Sequence, residues 1–218
     1  KLYCNQVFVS DSIKEVVPRY LLPLRGVLDS PDIPLNVSRS ALQTDRRVRS
    51  IGQFVSKKVA DKLRDLKKNN PDYYAELWDS VAPFVKIGAM EDEKFAEQVF
   101  ELILFQTTAD KDTAANLMNG RERTYTTITA YRERQTGDEQ KRVLYCTEEI
   151  AQAGALSLWK GQGAEVIFAE TVLDSQFIPW LESKETELTF QRVDSELDSS
   201  LQDDQPELSD QEGETKSE

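Results

Sequence analysis

Histidine is absent from the 218 residues, and cysteine and methionine occur only twice each. Without an imidazole, the chain offers no Ser-His-Asp or Cys-His catalytic group and no histidine-containing zinc site. No apolar run approaches the roughly 20 residues that a membrane-spanning helix needs. The first residues, KLYCNQVFV, lack the basic segment and apolar core of a signal peptide. They indicate that the sequence begins within a strand, so we expect a fragment of a longer chain.

The cysteines indicate the cellular compartment of the protein, and the charge distribution indicates which kinds of partner it can bind. Cys4 and Cys146 lie far apart, each within a strand-like run, so we expect buried thiols in a reducing compartment, the cytoplasm or an organellar stroma. The net charge is −12, but residues 194–218 hold ten acidic residues and one basic residue, so residues 1–193 carry only −3. An acidic chain is a poor partner for nucleic acid, because binding to phosphates needs a basic face. A membrane partner is not expected either.

The familiar phosphate-binding and hydrolase signatures are missing. The sequence contains no G-x-x-x-x-G-K-[ST] loop, no H-E-x-x-H pair and no G-x-S-x-G elbow. The glycines at 161 and 163 follow a predicted helix and precede a strand, which is the reverse of the dinucleotide-binding order. They indicate a helix end and a turn. No metal site is predicted.

The first half of the chain predicts one strand followed by helices. Residues 2–9 resemble a strand, and Pro18 can begin a helix that extends to Leu28. From about residue 39 an apolar stripe recurs at helical spacing, at Val48, Ile51, Val55, Val59, Leu63 and Leu66. Asn70 and Pro71 end this helix and begin a second one. A third helix is predicted over about 91–105.

The second half changes to strands that are separated by helices. Three strands are predicted at residues 142–147, 164–169 and 187–193, with helices at 148–162 and 174–183 between them. Strands joined by helices of this length form βαβ units with a largely parallel sheet.

We therefore expect an α/β chain in four parts. Residues 1–40 complete a larger α/β unit, and residues 41–105 form a helical connector. Residues 106–193 form a smaller three-layer α-β-α unit. Residues 194–218 are rich in Asp, Glu, Ser and Gln and are expected to be a disordered tail or linker.

The junction between the loop and the long helix, IPLNVSRSALQ at residues 33–43, is the strongest candidate for chemistry. The simplest interpretation is that Ser38 or Asn36 caps the helix and that Arg39 is solvated. However, an arginine in the first turn faces the positive end of the helix dipole, which is mildly unfavourable. At 100° per residue its side chain also lies opposite the apolar stripe and is free to reach outward. A guanidinium presented in this way suits a phosphate group.

The run GVLDSPDIPLNVSR at residues 26–39, followed by Leu42 and Gln43, resembles the catalytic loop of the HtpG chaperones, the bacterial ninety-kilodalton heat-shock protein family. Further similar stretches follow in the family's order: VFV at 7–9, P-x-YL at 18–21, K-x-G at 86–88, ED at 91–92, RVLYCT at 142–147 and EVIF at 165–168. Together they cover nearly all of residues 1–195. The chain is thus similar to the middle segment of such a chaperone.

The resemblance implies a role for each matched residue of the loop. Arg39 is expected to reach the γ-phosphate of ATP, which is bound with Mg mainly by an N-terminal domain outside this chain. Gln43 is expected to share in catalysis, and Asn36 and Gln43 to support the loop or the nucleotide contact. A guanidinium that contacts the γ-phosphate during its transfer accelerates the reaction roughly 10³–10⁵-fold, which corresponds to about 4–7 kcal/mol of transition-state stabilisation. The chain alone is expected to be inactive.

The family also implies partners. Unfolded or partly folded client proteins, the chain's own N-terminal domain and a second copy held through an absent C-terminal domain are expected. Phe177 and Trp180 could lie on an exposed patch that binds clients, although core packing is the simpler interpretation for both. The chain departs from the family pattern at Ser40, which replaces a glutamate, and at Gln176, which replaces an aromatic residue. The acidic tail stands where the family continues into its dimerisation domain.

Two other interpretations remain open at this point. A non-catalytic α/β module that binds proteins would also lack acid–base groups, but it leaves the run at residues 26–43 unexplained. A nucleic-acid module that uses the lysine-rich helix at 57–68 is weaker, because those lysines solvate a helix whose other side is buried.

Deletion of residues 196–218 should leave folding intact, because the tail offers almost no apolar surface to bury. The midpoint of thermal unfolding, measured by circular dichroism, should move by no more than about 2 °C, which corresponds to less than ~1 kcal/mol in a chain of this size. A larger drop would mean that the tail docks on the folded part.

Overall fold

The structure, a computed structural model, describes residues 1–10, 17–31, 46–109, 116–118 and 121–195. Within these ranges a three-stranded sheet comes first, three α-helices follow, and a six-stranded sheet with three further α-helices ends the fold. The predicted order of an α/β part, a helical connector and a second α/β unit is confirmed. The acidic residues from 196 onward lie outside the described residues, and so does the catalytic-loop candidate at 33–43.

The first sheet is built around a hairpin rather than a single strand. Strands β1 (Leu2–Cys4) and β2 (Val7–Ser10) are antiparallel, and β3 (Leu28–Asp29) lies parallel to β1 on its other side. Asn5 and Gln6 between β1 and β2 have φ values of 49° and 66°. Two consecutive residues in the left-handed region form the two-residue turn that favours a hairpin. The prediction of one strand over residues 2–9 was therefore wrong.

The helix predicted from Pro18 to Leu28 is also much shorter than expected. Only Arg19–Leu21 form a 3-10 turn, which Pro18 precedes. The chain then makes one more turn, in which the Leu24 N–H donates to the carbonyl of Leu21 at 3.0 Å. Pro23 ends the helical path, because it has no N–H for the next hydrogen bond.

Three helices form the connector. They are α1 (Arg46–Asn69), α2 (Pro71–Glu91) and α3 (Glu93–Val99), and a 3-10 turn at Phe100–Leu102 follows. The Asn70 side chain accepts a hydrogen bond from the Tyr73 N–H at 3.3 Å, so the predicted cap of the second helix is confirmed. The third helix ends before residue 105, because the chain becomes extended at Ile103 and enters a strand at Phe105.

The buried face of α1 overlaps the predicted stripe only in part, since Leu63 belongs to both. The buried positions are Gly52, Ser56, Ala60 and Leu63, whereas Val55 and Val59 are only half-buried. Three of the four buried residues are small, and small side chains let neighbouring helices approach closely. The apolar stripe thus lies beside the contact instead of at its centre.

The six-stranded sheet has the order β5-β6-β4-β8-β7-β9. Its strands are β4 (Phe105–Thr107), β5 (Asn116–Met118), β6 (Arg121–Thr126), β7 (Arg142–Cys146), β8 (Ile167–Phe168) and β9 (Thr189–Arg192). Strand β7 is parallel to β8 and β9, as predicted. Strand β4 is antiparallel to β6 and β8, and β5 is antiparallel to β6. The expectation of a largely parallel sheet therefore holds for one half of the sheet only.

Helices cover both faces of the parallel half. They are α4 (Ile128–Arg134), α5 (Ala153–Gly161) and α6 (Asp174–Lys184). Along β7, Val143 packs in the cluster that contains α6, and the next residue, Leu144, packs in the cluster that contains α5. Successive side chains of a strand point to opposite faces. This alternation confirms the three-layer α-β-α arrangement.

Both cysteines are buried thiols, as the sequence predicted. Burial raises the pKa of Cys146 to about 11, which keeps its thiol protonated and unreactive near neutral pH. Among the described helices, none is long and apolar enough to cross a membrane.

Leu63→Asp should unfold or strongly destabilise the chain, because a carboxylate would replace a side chain that is 9% exposed in the core. We expect a loss of about 3 kcal/mol or more in the free energy of unfolding, measured by urea titration. Lys57→Asp on the exposed side of the same helix is the matched control and should change stability by less than ~1 kcal/mol. Equal stability of the two variants would contradict the orientation of α1.

Candidate functional site

Asn36, Arg39 and Gln43 lie outside the described residues, and so does Ser40. The described chain stops at Pro31 and resumes at Arg46. The structure therefore shows the two ends from which this segment, hereafter the arginine loop (residues 32–45), departs. The roles predicted for its residues stay predictions.

The sheet holds the first end of the arginine loop. The Leu28 N–H donates to the carbonyl of Lys1 at 2.9 Å, and the Ser30 N–H donates to the carbonyl of Tyr3 at 3.1 Å. The Asp29 carboxylate accepts a hydrogen bond of 3.1 Å from the Gln6 N–H in the hairpin turn. These bonds fix β3 against β1 up to two residues before the loop.

The second end is the first described turn of α1, which carries exposed basic side chains. The first turn of α1 contains no acidic residue, and Arg46 and Arg49 are both exposed. The nearest acidic residue in the sequence, Asp45, precedes the helix and lies outside the described residues. The two guanidinium groups place positive charge at this end of the described helix.

The end of α2 packs against the segment that precedes the arginine loop. A Cβ atom added to Gly88 would lie 2.6 Å from the Tyr20 ring and 2.7 Å from the Phe95 ring. The two rings are themselves in contact, with centroids 4.9 Å apart. Only glycine at this position lets α2, α3 and the 3-10 turn approach this closely. We call Gly88, Tyr20 and Phe95, together with Ser56 and Asp92, the helix junction.

Hydrogen bonds hold the polar part of the helix junction. The Tyr20 hydroxyl donates to the Asp92 carboxylate at 3.0 Å and lies 3.0 Å from the Ser56 hydroxyl, which donates to the carbonyl of Gly52. Asp92 also accepts a hydrogen bond from the Phe95 N–H at 3.1 Å and so caps α3. Burial raises the pKa of Tyr20 well above its usual value, so the phenol stays neutral and remains a donor.

A buried ion pair joins α2 to α6. The Lys86 ammonium lies 2.5 Å from the Asp174 carboxylate, and their side chains are only 8% and 3% exposed. The ammonium is also 5.0 Å from the centre of the Phe105 ring and 5.4 Å from that of Phe177, where the electron-rich faces favour a cation. The second Asp174 oxygen accepts hydrogen bonds from the N–H and hydroxyl of Thr171. Every oxygen of this buried carboxylate is thereby satisfied.

The structure corrects the expectation that Phe177 contacts clients. Its side chain is 0% exposed and stacks between Trp180 and Phe105, with ring centroids 5.2 and 6.3 Å away. A side chain with no exposed surface cannot bind a partner in this conformation, and the simpler interpretation, core packing, applies. Trp180 is half-buried against the same core and presents only part of its ring.

An exposed apolar surface lies elsewhere, in a groove that sequence reasoning missed. It has a volume of about 380 Å³ and runs between the 3-10 turn, α1 and α2. Phe54 and Leu24 in its walls are 59% and 51% exposed, and Lys58 and Lys62 line it as well. We call it the apolar groove. Part of the signal was present in the sequence, since Val55, Val59 and Leu63 of the predicted stripe line the groove.

Sequence reasoning also missed the residues of the helix junction and the ion pair. Lys86, Gly88 and Asp92 were noted only as part of a family pattern, with no physical role. Within the ranges that the structure describes, no group of three or more cysteine, aspartate and glutamate side chains is arranged to hold a metal ion.

Comparisons with known proteins agree on one family. The sequence pattern described as Hsp90 protein matches residues 1–218. The chaperone protein HtpG of Porphyromonas gingivalis is 37% identical over 203 residues, which cover 92% of this chain and 28% of that protein. HtpG of Bacteroides fragilis is 36% identical over 199 residues, which cover 90% of this chain and 28% of that protein. The chain thus spans about 28% of the length of these relatives.

A solved structure has the same fold. It is the middle domain of a heat shock protein from Plasmodium falciparum, and it matches this chain with a TM-score of 0.67 at 22% identity. The match covers 88% of this chain and 72% of the other. At this identity the likeness establishes the fold.

Gly88→Ala should destabilise the chain by about 1–3 kcal/mol, because the added methyl group forces the Tyr20 and Phe95 rings apart. Gly154→Ala in α5 is the matched control: a Cβ there meets no atom within 4 Å, and alanine favours a helix by up to about 1 kcal/mol. Urea titration of both variants gives the comparison. A Gly88→Ala variant as stable as Gly154→Ala would mean that the helix junction is loosely packed.

Proposed function

The chain belongs to the Hsp90 family, and we propose that it is the middle segment of an ATP-dependent chaperone of the HtpG type that assists protein folding. The observation that carries this proposal is the match along the whole chain, including the loop sequence at residues 26–43. In the complete protein this segment provides an arginine for ATP hydrolysis and a surface for client proteins. ATP with Mg is bound mainly by the preceding N-terminal domain.

The catalytic part of the proposal concerns Arg39. A γ-phosphate in transfer carries negative charge, and the planar guanidinium of Arg39 donates two hydrogen bonds to it in a fixed geometry. Asn36 and Gln43 hold the loop or the nucleotide in place. The exposed Arg46 and Arg49 in the first described turn of α1 support this assignment, because their positive charge lowers the energy of an anion nearby. ATP itself supplies the phosphoanhydride bond that is hydrolysed.

Client binding is assigned to exposed apolar surface. The apolar groove and the accessible part of Trp180 are the candidates, since Phe177 is buried. Non-native proteins expose apolar side chains that a groove of this composition can shelter from water. The proposal also includes a homodimer, held through a C-terminal domain outside this chain. The location that we propose is the cytoplasm or an organellar stroma.

A second function, a protein-binding module without chemistry, has one observation in its favour. The apolar groove lies within the described chain, whereas the nucleotide pocket does not. A mixing assay separates the two functions: this chain is added to the isolated N-terminal domain of the same protein, and ATP hydrolysis is measured. Acceleration by the parent chain, and none by its Arg39→Ala variant, would favour the chaperone ATPase.

Arg39→Ala in the full-length protein should lower kcat for ATP hydrolysis at least tenfold, because charge that develops on the γ-phosphate loses its partner. ATP affinity should change little, since the pocket lies in another domain. Arg39→Lys should fall short of rescue, because an ammonium keeps the charge but loses the planar fork. The thermal midpoint of this chain should move by less than about 2 °C in both variants.

Arg64→Ala is the matched control, because Arg64 is an exposed arginine near the other end of the adjoining helix. It should retain most of the parent kcat. Full ATPase activity in Arg39→Ala would refute the catalytic assignment, and a collapsed fold would make Arg39 a structural residue.

Phe54→Ser should weaken binding of a model unfolded protein several-fold while leaving the thermal midpoint nearly unchanged, because the side chain is 59% exposed in the apolar groove. Phe177→Ser should instead destabilise the fold by about 3 kcal/mol or more, since it opens a cavity in the core. Binding is measured by fluorescence anisotropy and stability by thermal unfolding. Unchanged affinity in Phe54→Ser would exclude the groove as a client surface.

A further inference from the structure

A small cavity lies between the middle of α2 and the second sheet. It has a volume of about 120 Å³, and exposed residues of α2 and of the segment after β8, among them Asp79 and Glu170, form its rim. A cavity needs roughly 10–15 Å³ to hold one water molecule, so this one has room for a head group of several heavy atoms. No described residue lines both this cavity and the apolar groove. We call it the aromatic cavity.

Aromatic side chains form much of the wall of the aromatic cavity. Tyr125 of β6 and Phe168 of β8 lie directly opposite Gln106 of β4. Residues that are directly opposite in neighbouring strands lie on the same face of a sheet, so these three side chains form one row. Trp78 of α2 and Phe105 add two further rings to the lining. The faces of aromatic rings are electron-rich and attract cations.

The floor of the aromatic cavity already contains one cation that is bound in this way. The Lys86 ammonium lies 5.0 Å from the centre of the Phe105 ring and 2.5 Å from the Asp174 carboxylate. Both side chains are almost fully buried, so this carboxylate compensates the charge of the ammonium. Lys86 therefore does not make the cavity attractive to anions.

The charge that remains at the rim is negative. Of the described residues that line the aromatic cavity, four are charged: Asp79, Lys86, Glu170 and Asp174. Once Lys86 and Asp174 are paired, two exposed carboxylates are left. The Asp79 carboxylate accepts a hydrogen bond of 2.9 Å from the Tyr125 hydroxyl, and a carboxylate can accept several more. Among the described residues, no hydrogen bond or ion pair engages the Glu170 carboxylate. The rim thus repels an anion and favours a cation.

We propose that the aromatic cavity binds an arginine side chain of a partner protein. A guanidinium is planar, so it stacks on the ring faces in the wall while its N–H groups donate to the Asp79 and Glu170 carboxylates. Its weak hydration also lowers the cost of leaving water for a cavity of this kind. An ammonium has neither the planar shape nor the second direction of donation.

The rim also indicates what stands next to this arginine in the partner. Val172, whose two neighbours in the sequence line the aromatic cavity, is 89% exposed. An apolar residue beside the arginine can cover it, so the partner segment carries an arginine with apolar neighbours. This inference goes beyond the proposed function, which assigns clients to the apolar groove and to Trp180. It does not depend on ATP hydrolysis.

A peptide titration of the 218-residue chain, followed by NMR of its amides, tests the proposal. The probe is the peptide acetyl-Ser-Leu-Arg-Leu-Ser-amide, and the matched control replaces its arginine by citrulline, which keeps the planar shape but carries no charge. The arginine peptide should shift the amides of Gln106, Tyr125 and Thr171. It should bind about tenfold or more tightly than the citrulline peptide, because hydrogen bonds between two charged groups are the stronger kind. Its affinity should fall as the salt concentration rises.

Two rim variants locate the binding. Glu170→Gln should weaken the arginine peptide about fivefold or more and leave the thermal midpoint within about 2 °C, because the side chain is exposed. Asp79→Asn should weaken it as well, and both changes together should abolish the preference for arginine over citrulline. Glu76→Gln is the matched control, since Glu76 is an exposed glutamate of α2 outside the aromatic cavity. It should retain the parent affinity.

The same titration defines the outcomes that overturn the proposal. Equal affinity for the arginine and citrulline peptides, shifts confined to the apolar groove around Phe54, or no shift at millimolar peptide would each refute it. Methylguanidinium, which carries the head group without a peptide, should bind about tenfold or more weakly than the arginine peptide. Equal affinity for methylguanidinium would indicate a site for small cations and would overturn the assignment to a partner protein.

Discussion

The close approach of Tyr20 and Phe95 to the backbone of Gly88 determines how the parts of this chain fit together. Because no side chain separates them, the 3-10 turn, α2 and α3 meet within van der Waals distance. The Tyr20 hydroxyl then reaches Asp92, which in turn begins α3. The direction of α3 determines where the chain enters β4, so the position of the second sheet depends on this contact.

Buried polar groups specify the second unit in a similar way. Glu165, next to β8, accepts two hydrogen bonds from the Arg134 guanidinium, at 2.7 and 2.9 Å, and one from the Thr107 hydroxyl at 2.6 Å. The Tyr131 hydroxyl donates to the carbonyl of Glu165 and accepts from the Leu144 N–H. These bonds connect α4 to three strands of the sheet. A satisfied network of this kind favours a single register, because a shift by one residue would leave several groups without partners.

The chain also separates its charges along its length. Basic side chains concentrate on α1, in its first described turn and on the wall of the apolar groove, whereas the acidic excess lies after residue 193. This distribution is compatible with the proposed function, in which the segment meets ATP at one place and client protein at another.

The sequence alone determined the elements whose signals are local. Asn70 and Pro71 predict the start of α2 because a cap and a first-turn proline act within one turn, and the apolar runs of β7, β8 and β9 follow from their own residues. The loop at residues 26–43 is identified by its amino-acid sequence alone. The hairpin at Asn5 and Gln6 was missed because neither residue is a glycine, and two residues with positive φ values are not evident from propensity.

Only the tertiary structure decided features that depend on distant residues. Strand β6 begins with three charged residues, 121–123, so pairing with β4 and β5 rather than local preference makes it a strand. The buried face of α1 depends on which neighbours approach it, and small residues at positions 52, 56 and 60 allow that approach. The sequence separates Lys86 from Asp174 by 88 residues, and Phe177 looks equally suited to a surface or a core. Burial and pairing belong to the assembled chain, because they depend on what surrounds a residue in three dimensions.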